Sequence, residues 1–275
     1  MTKKQIFLSH IHEESALAVL IKTAIESEFS GFVNVFVSSD GESIRAGAHF
    51  LDTIEEGLVN CVGAIYLISP ASVKRPWISF ELGAVWIRNA ISQRSKKTLI
   101  PAIPFCHSGM GLSQLPPPIG SLNAIRCADP ISLRRAFEAI QIAVGGNGQL
   151  RTNFDNLANH VRAFEETYTV ANKLAEALAK TGEDINKLLE RASQSAEDEI
   201  EFESKDQRNE TLDIFEKLAD GPLNGSLNVE KSVRAFVIDI NDSYHGGKLK
   251  FRIKRHVLLQ YRNEISSAYS ARVNK

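Results

Sequence analysis

Gly63-Ala64-Ile65-Tyr66-Leu67-Ile68-Ser69 decides the fold. The run carries no charge and no polar alternation until its closing serine. A strand with one wet face alternates apolar and polar residues, whereas one covered on both faces reads as a continuous apolar run. The stretch therefore predicts a central strand of a parallel sheet, with helices on both sides. Upstream, Gln5-Ile6-Phe7-Leu8-Ser9 is a short apolar strand, and Leu17, Leu20, Ile21, Ala24 and Ile25 follow at helical spacing. Val33-Asn34-Val35-Phe36-Val37-Ser38 is a second strand, rich in β-branched residues. A polar turn covers residues 39–47, and Phe50, Ile54 and Leu58 mark a short helix.

Downstream, a helix begins near Trp77 and runs to about Ala90, followed by a strand at Thr98-Leu99-Ile100-Pro101-Ala102-Ile103. Pro104, Pro116, Pro117 and Pro118 with three glycines make residues 104–121 a long loop. Residues 123–127 predict a short fifth strand, and Leu133, Phe137, Ile140 and Val144 line one face of a helix over residues 130–144. Strands alternating with helices give an α/β class with a parallel sheet. Gly145-Gly146-Asn147-Gly148 breaks the pattern and sets a boundary between a first domain, 1–145, and a second, 150–275.

The second half reads as mainly α-helical. Phe154, Leu157, Val161, Phe164, Tyr168, Ala171, Leu174 and Leu178 keep helical spacing over about seven turns. Ile185, Leu188 and Leu189 suggest a second helix, and Leu212, Phe215 and Leu218 a third. Residues 195–206 are acid-rich and read as a solvated face or linker. Asn228 stands as the N-cap of a helix holding Val229, Val233, Phe236 and Ile240. Residues 248–255 alternate basic and apolar side chains like a strand, and residues 257–269 predict a last helix. The basic residues there, Lys248, Lys250, Arg252, Lys254, Arg255 and Arg262, fit a nucleic-acid contact or, more simply, a face paired with the acidic segment.

Composition excludes several classes. At 275 residues the chain has room for two domains. A hydrophobic share of 43% and a charged share of 24% exclude wholesale disorder. Lys plus Arg number 32 against 33 Asp plus Glu, so no global positive charge points to nucleic acid. Cys61, Cys106 and Cys127 are odd in number and widely spaced, which fits reduced thiols rather than a disulfide scaffold. The near-apolar stretch at 61–68 is far shorter than the roughly 20 residues a bilayer requires. The apolar run behind Lys3 and Lys4 is too short for a signal peptide. The expectation is a cytoplasmic protein with no membrane contact.

Among residues that carry chemistry, His10-Ile11-His12 after the first strand resembles a metal-ligand pair. Such a site needs further His and Asp ligands at later strand ends, and His49, His107 and His160 are not placed that way. Two surface histidines are the better reading. Cys106-His107 with Cys127 is too sparse for zinc, so no metal is expected. Residues 145–148 follow a helix rather than a strand, which excludes a phosphate loop. Lys74-Arg75-Pro76-Trp77-Ile78-Ser79-Phe80-Glu81-Leu82-Gly83-Ala84 is more promising. Trp77 and Glu81 fall four apart on a helix and share one face. The strand before them ends at Ser69, at the sheet edge where open α/β folds bind ligands. An aromatic plane beside a carboxylate suits a nucleotide-like ligand. A glutamate favoured by the helix dipole and a tryptophan capping the core explain the same residues, and the residues alone leave both open.

Residues 6 to about 144 resemble a TIR (Toll/interleukin-1 receptor-like) domain, chiefly of the bacterial kind. Three segments carry the resemblance: Ile6-Phe7-Leu8-Ser9-His10 as the first box, Val35-Phe36-Val37-Ser38-Ser39-Asp40 through Gly47 as the second strand and BB loop, and Ser69 through Glu81. The last matches the segment that holds the catalytic glutamate of NAD-consuming TIR domains. The family often shows Ser-x-Trp-Cys-x-x-Glu; here Arg75 and Ile78 stand at the Ser and Cys places, while Trp77 and Glu81 remain. The first box often has Tyr-Arg after its serine; here it is His10-Ile11.

The resemblance implies a flavodoxin-like sheet and cleavage of the nicotinamide–ribose bond of NAD, with NAD as substrate and no cofactor. Glu81 is the implied catalyst. Ser9, His10 and Ser38 are the implied lining of the ribose and phosphate pocket, with Trp77 as a stacking surface and Arg45 at an interface or a phosphate. It further implies homo-oligomers through TIR–TIR contacts, the BB loop at residues 40–48 completing a neighbour's site. Residues 150–275 would then sense an activating ligand or protein, as in antiphage defence. Two alternatives stand beside this: a non-catalytic adaptor that assembles partners, and an enzyme like the nucleoside deoxyribosyltransferases, whose carboxylate is a covalent nucleophile.

Overall fold

The computed structural model describes residues 3–38, 50–95, 98–204, 209–220, 222–231 and 249–273. The chain divides into two compact units, Met1–Glu166 and Thr167–Lys275. Among the described residues, the first unit holds β1 (Lys4–Ser9), α1 (Ser15–Glu28), β2 (Val33–Val37), α2 (Phe50–Asn60), β3 (Cys61–Ile68), α3 (Pro76–Arg94), β4 (Ala102–Cys106), β5 (Ile125–Arg126) and α4 (Pro130–Val144). The strands form a five-stranded parallel sheet in the order β2-β1-β3-β4-β5. This is the flavodoxin-like order.

Strand β3 is central, as its continuous apolar run requires. Its residues alternate between two cores: Ile65 and Leu67 face one cluster, Ala64, Tyr66 and Ile68 the other. Strand β1 divides likewise, Ile6 and Leu8 to the first side and Phe7 to the second. Helices α1 and α4 cover the first core with Leu17, Ile21, Leu133 and Phe137; α2 and α3 cover the second with Ile54, Leu58, Ile78 and Val85. The chain thus leaves β1 in one direction to β2 and returns in the other to β3. That reversal is the topological switch point, where the loops at the strand C-termini diverge and leave a crevice.

Strand β4 departs from the strand expected at residues 98–103. It starts at Ala102, in register with Ala64 of β3, and includes Pro104, which the loop reading had claimed. Proline has no amide N–H, so a strand tolerates it where that N–H would face an unpaired edge. The main chain alternates sides: Pro101 O accepts from Ala64 of β3, and Cys106 O accepts from Cys127 on the far side. Pro104 shares the parity of Cys106, so its missing donor lies toward the outer edge. There β5 pairs only with Phe105 and Cys106.

After α4, Gly145 adopts a left-handed φ of 82° and ends the helix. The chain then returns to α1: the Glu28 carboxylate accepts from the amides of Arg151 (3.0 Å) and Thr152 (2.6 Å) and from the Thr152 hydroxyl. Burial raises this carboxyl, but the hydrogen bonds from Thr152 and Arg151 outweigh it and hold it below its ordinary value. Helix α5 (Phe154–Thr181) follows. Sequence breaks place a boundary at residues 145–148, whereas the contact division falls inside α5. The reason is packing: Phe154, Leu157, Ala158 and Val161 insert into the first core, while Val170, Leu174 and Leu178 belong to the second.

The second unit continues with α6 (Ile185–Gln194), β6 (Glu199–Ser204), α7 (Asn209–Ala219), β7 (Leu227–Lys231), β8 (Leu249–Lys254), α8 (Arg255–Gln260) and α9 (Arg262–Val273). Among its described residues it is helical with a three-stranded antiparallel sheet, ordered β6-β8-β7. Two expectations change here. The acidic segment is not a linker but strand β6, whose Ile200 and Phe202 are buried between its glutamates. Residues 227–231 form β7 rather than the start of a helix, because Val229 pairs in register with Phe251 of β8; Val233, Phe236 and Ile240 lie outside the described residues. Two basic residues of β8 are paired: Lys250 with Glu201 (3.2 Å), and Arg252 with Glu201 (3.2 Å) and Glu230 (2.9 Å). Among the described residues, no helix is long and apolar enough to cross a membrane.

A fragment ending at residue 148 strips Phe154, Leu157 and Val161 from the first core. Each buried side chain of this size contributes about 1.5–3 kcal/mol, a large share of the roughly 5–15 kcal/mol that holds a domain folded. A fragment of residues 1–166 is expected to unfold cooperatively in thermal denaturation. The 1–148 fragment is expected to show a Tm at least about 15 °C lower or no transition; equal melting of the two would contradict this packing.

Candidate active site

The C-terminal ends of β1, β3 and β4 bring together residues far apart in sequence. Pro76 opens α3 at its first turn, where its fixed φ and missing N–H cost nothing. Trp77 and Glu81 follow on one face, and they touch: Trp77 Nε1 donates to Glu81 Oε1 at 2.9 Å. The hydroxyl of Ser9, at the end of β1, donates to Glu81 Oε2. Helix α3 and the first strand are thereby joined through one carboxylate beside the switch point. Tyr66 of β3 adds a hydroxyl donated to the Glu81 carbonyl oxygen at 3.4 Å.

Glu81 is fully buried, at 0% exposure. Burial raises its carboxyl from an ordinary value near 4.5 to about 7, against the opposing pull of the Ser9 and Trp77 hydrogen bonds. The group is thus poised between protonated and ionised forms near neutral pH, a state suited to chemistry. Burial, with the Glu81 charge added, pushes the Tyr66 phenol well up, so it stays a neutral donor. Burial likewise raises the thiols of Cys61, of Cys106 to about 11, and of Cys127. Thiolates are the reactive form, so these cysteines are inert.

Of the residues singled out from sequence, Ser9, Trp77 and Glu81 form one hydrogen-bonded group. Trp77 is half-buried and stacks on Phe80, ring centroids 5.1 Å apart, so it serves both packing and the carboxylate. Ser38 lies at the same sheet edge, buried, its amide donating to Leu8 O at 3.1 Å. His10 is buried at 6% exposure rather than a surface histidine, because it follows β1 directly into the covered edge. Arg45 and the BB-loop segment lie outside the described residues. Among the described residues, no group of His, Cys, Asp and Glu could hold a metal ion.

A second polar cluster, which the sequence reading passed over, sits at the same edge. Glu14, in the turn after β1, is fully buried. Its Oε1 accepts from the Ser69 hydroxyl at 2.6 Å and lies 3.3 Å from His107 Nε2, at the end of β4. Ser69 and Ser72 bond reciprocally across the turn that leads to α3. The available signal was the Glu13-Glu14 pair just after a strand, but acids there usually reflect a helix start.

The sequence pattern of the TIR domain family matches residues 6–140. Residues 6–140 are a TIR domain. The five-stranded order and the C-terminal-edge site belong to this domain. A solved structure described as that of a metazoan TIR-STING receptor from C. gigas is similar at 20% identity, over 68% of this chain and 53% of that one, with a TM-score of 0.35. The chain therefore spans about half the length of that protein. No curated protein matches the chain.

The raised Glu81 carboxyl makes a stability prediction for the TIR domain. Its folded value, about 7, lies above the ordinary 4.5 of the unfolded chain. Between these values the folded state binds the extra proton, so stability falls as pH rises from about 4.5 to 7 and is flat beyond. The loss is on the order of 3 kcal/mol for a shift of this size. Glu81→Gln has no proton to lose. Denaturant unfolding at pH 5 and pH 8 is expected to show wild type losing more stability than the variant across that interval; parallel losses would contradict the shifted carboxyl.

Proposed function

We propose that this TIR domain cleaves the bond between nicotinamide and ribose in NAD, with Glu81 as the catalytic carboxylate. The observation that carries the reading is the buried Glu81 carboxylate, held by Ser9 and Trp77 at the switch point of the sheet. The chemistry fits one carboxylate. Nicotinamide leaves as a neutral ring, so no general acid is needed. The ribose carbon gains oxocarbenium character, and a fixed negative charge beside it lowers the barrier. This is glycoside cleavage with one of the usual two carboxylates dispensed with. A carboxylate has about four acceptor positions; two are taken by Ser9 and Trp77, leaving others for ribose hydroxyls. Because Glu81 is buried, ribose reaches it only when neighbouring side chains move. His10 and Ser38 would line the ribose and phosphates, and Trp77 would stack on a ring. Water attack gives ADP-ribose, and attack from within the nucleotide gives a cyclic product.

A second reading, a non-catalytic module that assembles partners, draws on α3, whose Phe80, Trp86, Ile87 and Ile91 are exposed. A nucleoside deoxyribosyltransferase-like enzyme would instead trap its sugar on Glu81 as a covalent ester. In the leading reading the domain works as a homo-oligomer. Residues 150–275 respond to an activating ligand or protein, and NAD loss serves defence against phage.

Incubation of the purified chain with NAD, followed by nicotinamide release, tests the reading. Release is expected in wild type and at least about 10²-fold less in Glu81→Gln. Because the ionised form acts, the rate is expected to rise with pH through about 7 and level above it. Release that survives the substitution would remove Glu81 from the chemistry, and absence of release at high protein concentration would favour the assembling module.

A further inference from the structure

The turn from β3 to α3 delivers Trp77 and Glu81, and two consecutive acids grip it. Glu14 accepts the Ser69 hydroxyl at its start, and Glu13 lies 3.6 Å from Arg75, the residue before α3. The Glu13–Arg75 pair is partly exposed and weak by nature. Glu14 is different: its side chain is fully buried, as is that of His107 beside it. A buried carboxylate is costly to keep, and an apolar residue of similar size often serves stability better. The chain keeps the carboxylate for what it does to the Ser69 hydroxyl.

That hydroxyl has one proton and two lone pairs. With Glu14 as an acceptor at 2.6 Å, the proton is committed to the carboxylate. Both lone pairs are then free for the amides of Ala71 (3.2 Å) and Ser72 (3.1 Å). Ser72 in turn accepts from the Ser69 amide at 2.7 Å and donates to Leu67 O at 3.2 Å. The two hydroxyls, 3.2 Å apart, are thus both tied into the turn and brace it. The register of α3, and with it the place of Trp77 and Glu81, follows from the turn so braced. At the end of β4, His107 Nε2 lies 3.3 Å from the carboxylate, and its ring contacts Phe164 of α5, centroids 5.8 Å apart. Next in sequence, the Ser108 amide donates to Glu165 at 3.0 Å.

We propose that Glu14 is a positioning residue for the candidate site: its buried carboxylate orients Ser69, locks the β3–α3 turn, and so sets the Trp77–Glu81 pair of α3 against Ser9 at the end of β1. The proposal deepens the reading of Glu81 as the reacting carboxylate and rests on it for its kinetic consequence.

The test uses the full chain with Trp86→Phe, which leaves Trp77 as the single tryptophan of the two in the sequence. Trp77 emission and its quenching by acrylamide read how α3 seats Trp77 at the sheet edge, without any need for activity. Glu14→Gln is expected to shift the emission to the red and raise quenching. It is also expected to lower kcat for NAD cleavage about 10²-fold, as a small misplacement of a reacting group does, with KM changed less. Ser69→Ala is expected to do the same, and Ser69→Thr, which keeps the hydroxyl, to restore both readouts. A lower Tm with unchanged Trp77 emission and kcat would make Glu14 merely structural and overturn the proposal. If Glu14→Gln does not fold, Ser69→Ala decides, and unchanged emission there overturns it. If the parent chain cleaves no NAD, the reading of Glu81 fails, while the emission measurements still decide the role of Glu14.

Discussion

Burial of β3 on both faces is the constraint on which the first unit depends. A strand with side chains committed to two cores needs a paired neighbour on each edge and a helical layer on each face. The chain meets this by placing β1 and β4 beside it, α1 and α4 on one face, and α2 and α3 on the other. The crossover to β2 and the return to β3 then leave the C-terminal ends of β1 and β3 adjacent, with their following loops turned apart. The crevice is a product of topology, and any side chain carried into it is held by a rigid sheet. Ser9 and the Ser69 turn occupy those two ends, so the site is built from the strands that the core fixes most firmly.

What was legible in the sequence follows from the same constraint. Strands β1, β2 and β3 announce themselves through apolar runs, and Trp77 with Glu81 through helical spacing. Strand β4 was placed too early because proline normally ends a strand; only the pairing parity shows why Pro104 is accepted. Strand β6 was hidden by its glutamates, which alternate with Ile200 and Phe202 and pair with the basic residues of β8. Alternation was present in the letters, but the charge density spoke louder. The Glu14 cluster was illegible for another reason. Its members come from three loops, and only the folded sheet brings residues 14, 69 and 107 together.

The site holds two buried glutamates, with opposite uses. Glu81 is desolvated, and the neutral donors Ser9 and Trp77 do not offset that, so its charge is costly and its proton affinity rises. Glu14 is enclosed by the groups whose orientation it dictates. One carboxylate holds a proton more tightly than usual, and the other accepts the hydroxyl that organises the turn before α3.

Pro104 and Glu26 have a joint consequence at the sheet's two margins. At one margin Pro104 presents no amide where a further strand would bond. At the other, the Val35 amide of β2 is taken by Glu26 of α1 at 2.8 Å. An incoming strand finds a missing donor on one side and an occupied donor on the other, which is how natural sheets resist edge-to-edge growth. Copies of such a domain can gather through their side-chain surfaces while their sheets stay separate, so that any cluster of them stays reversible instead of hardening into a continuous β-structure.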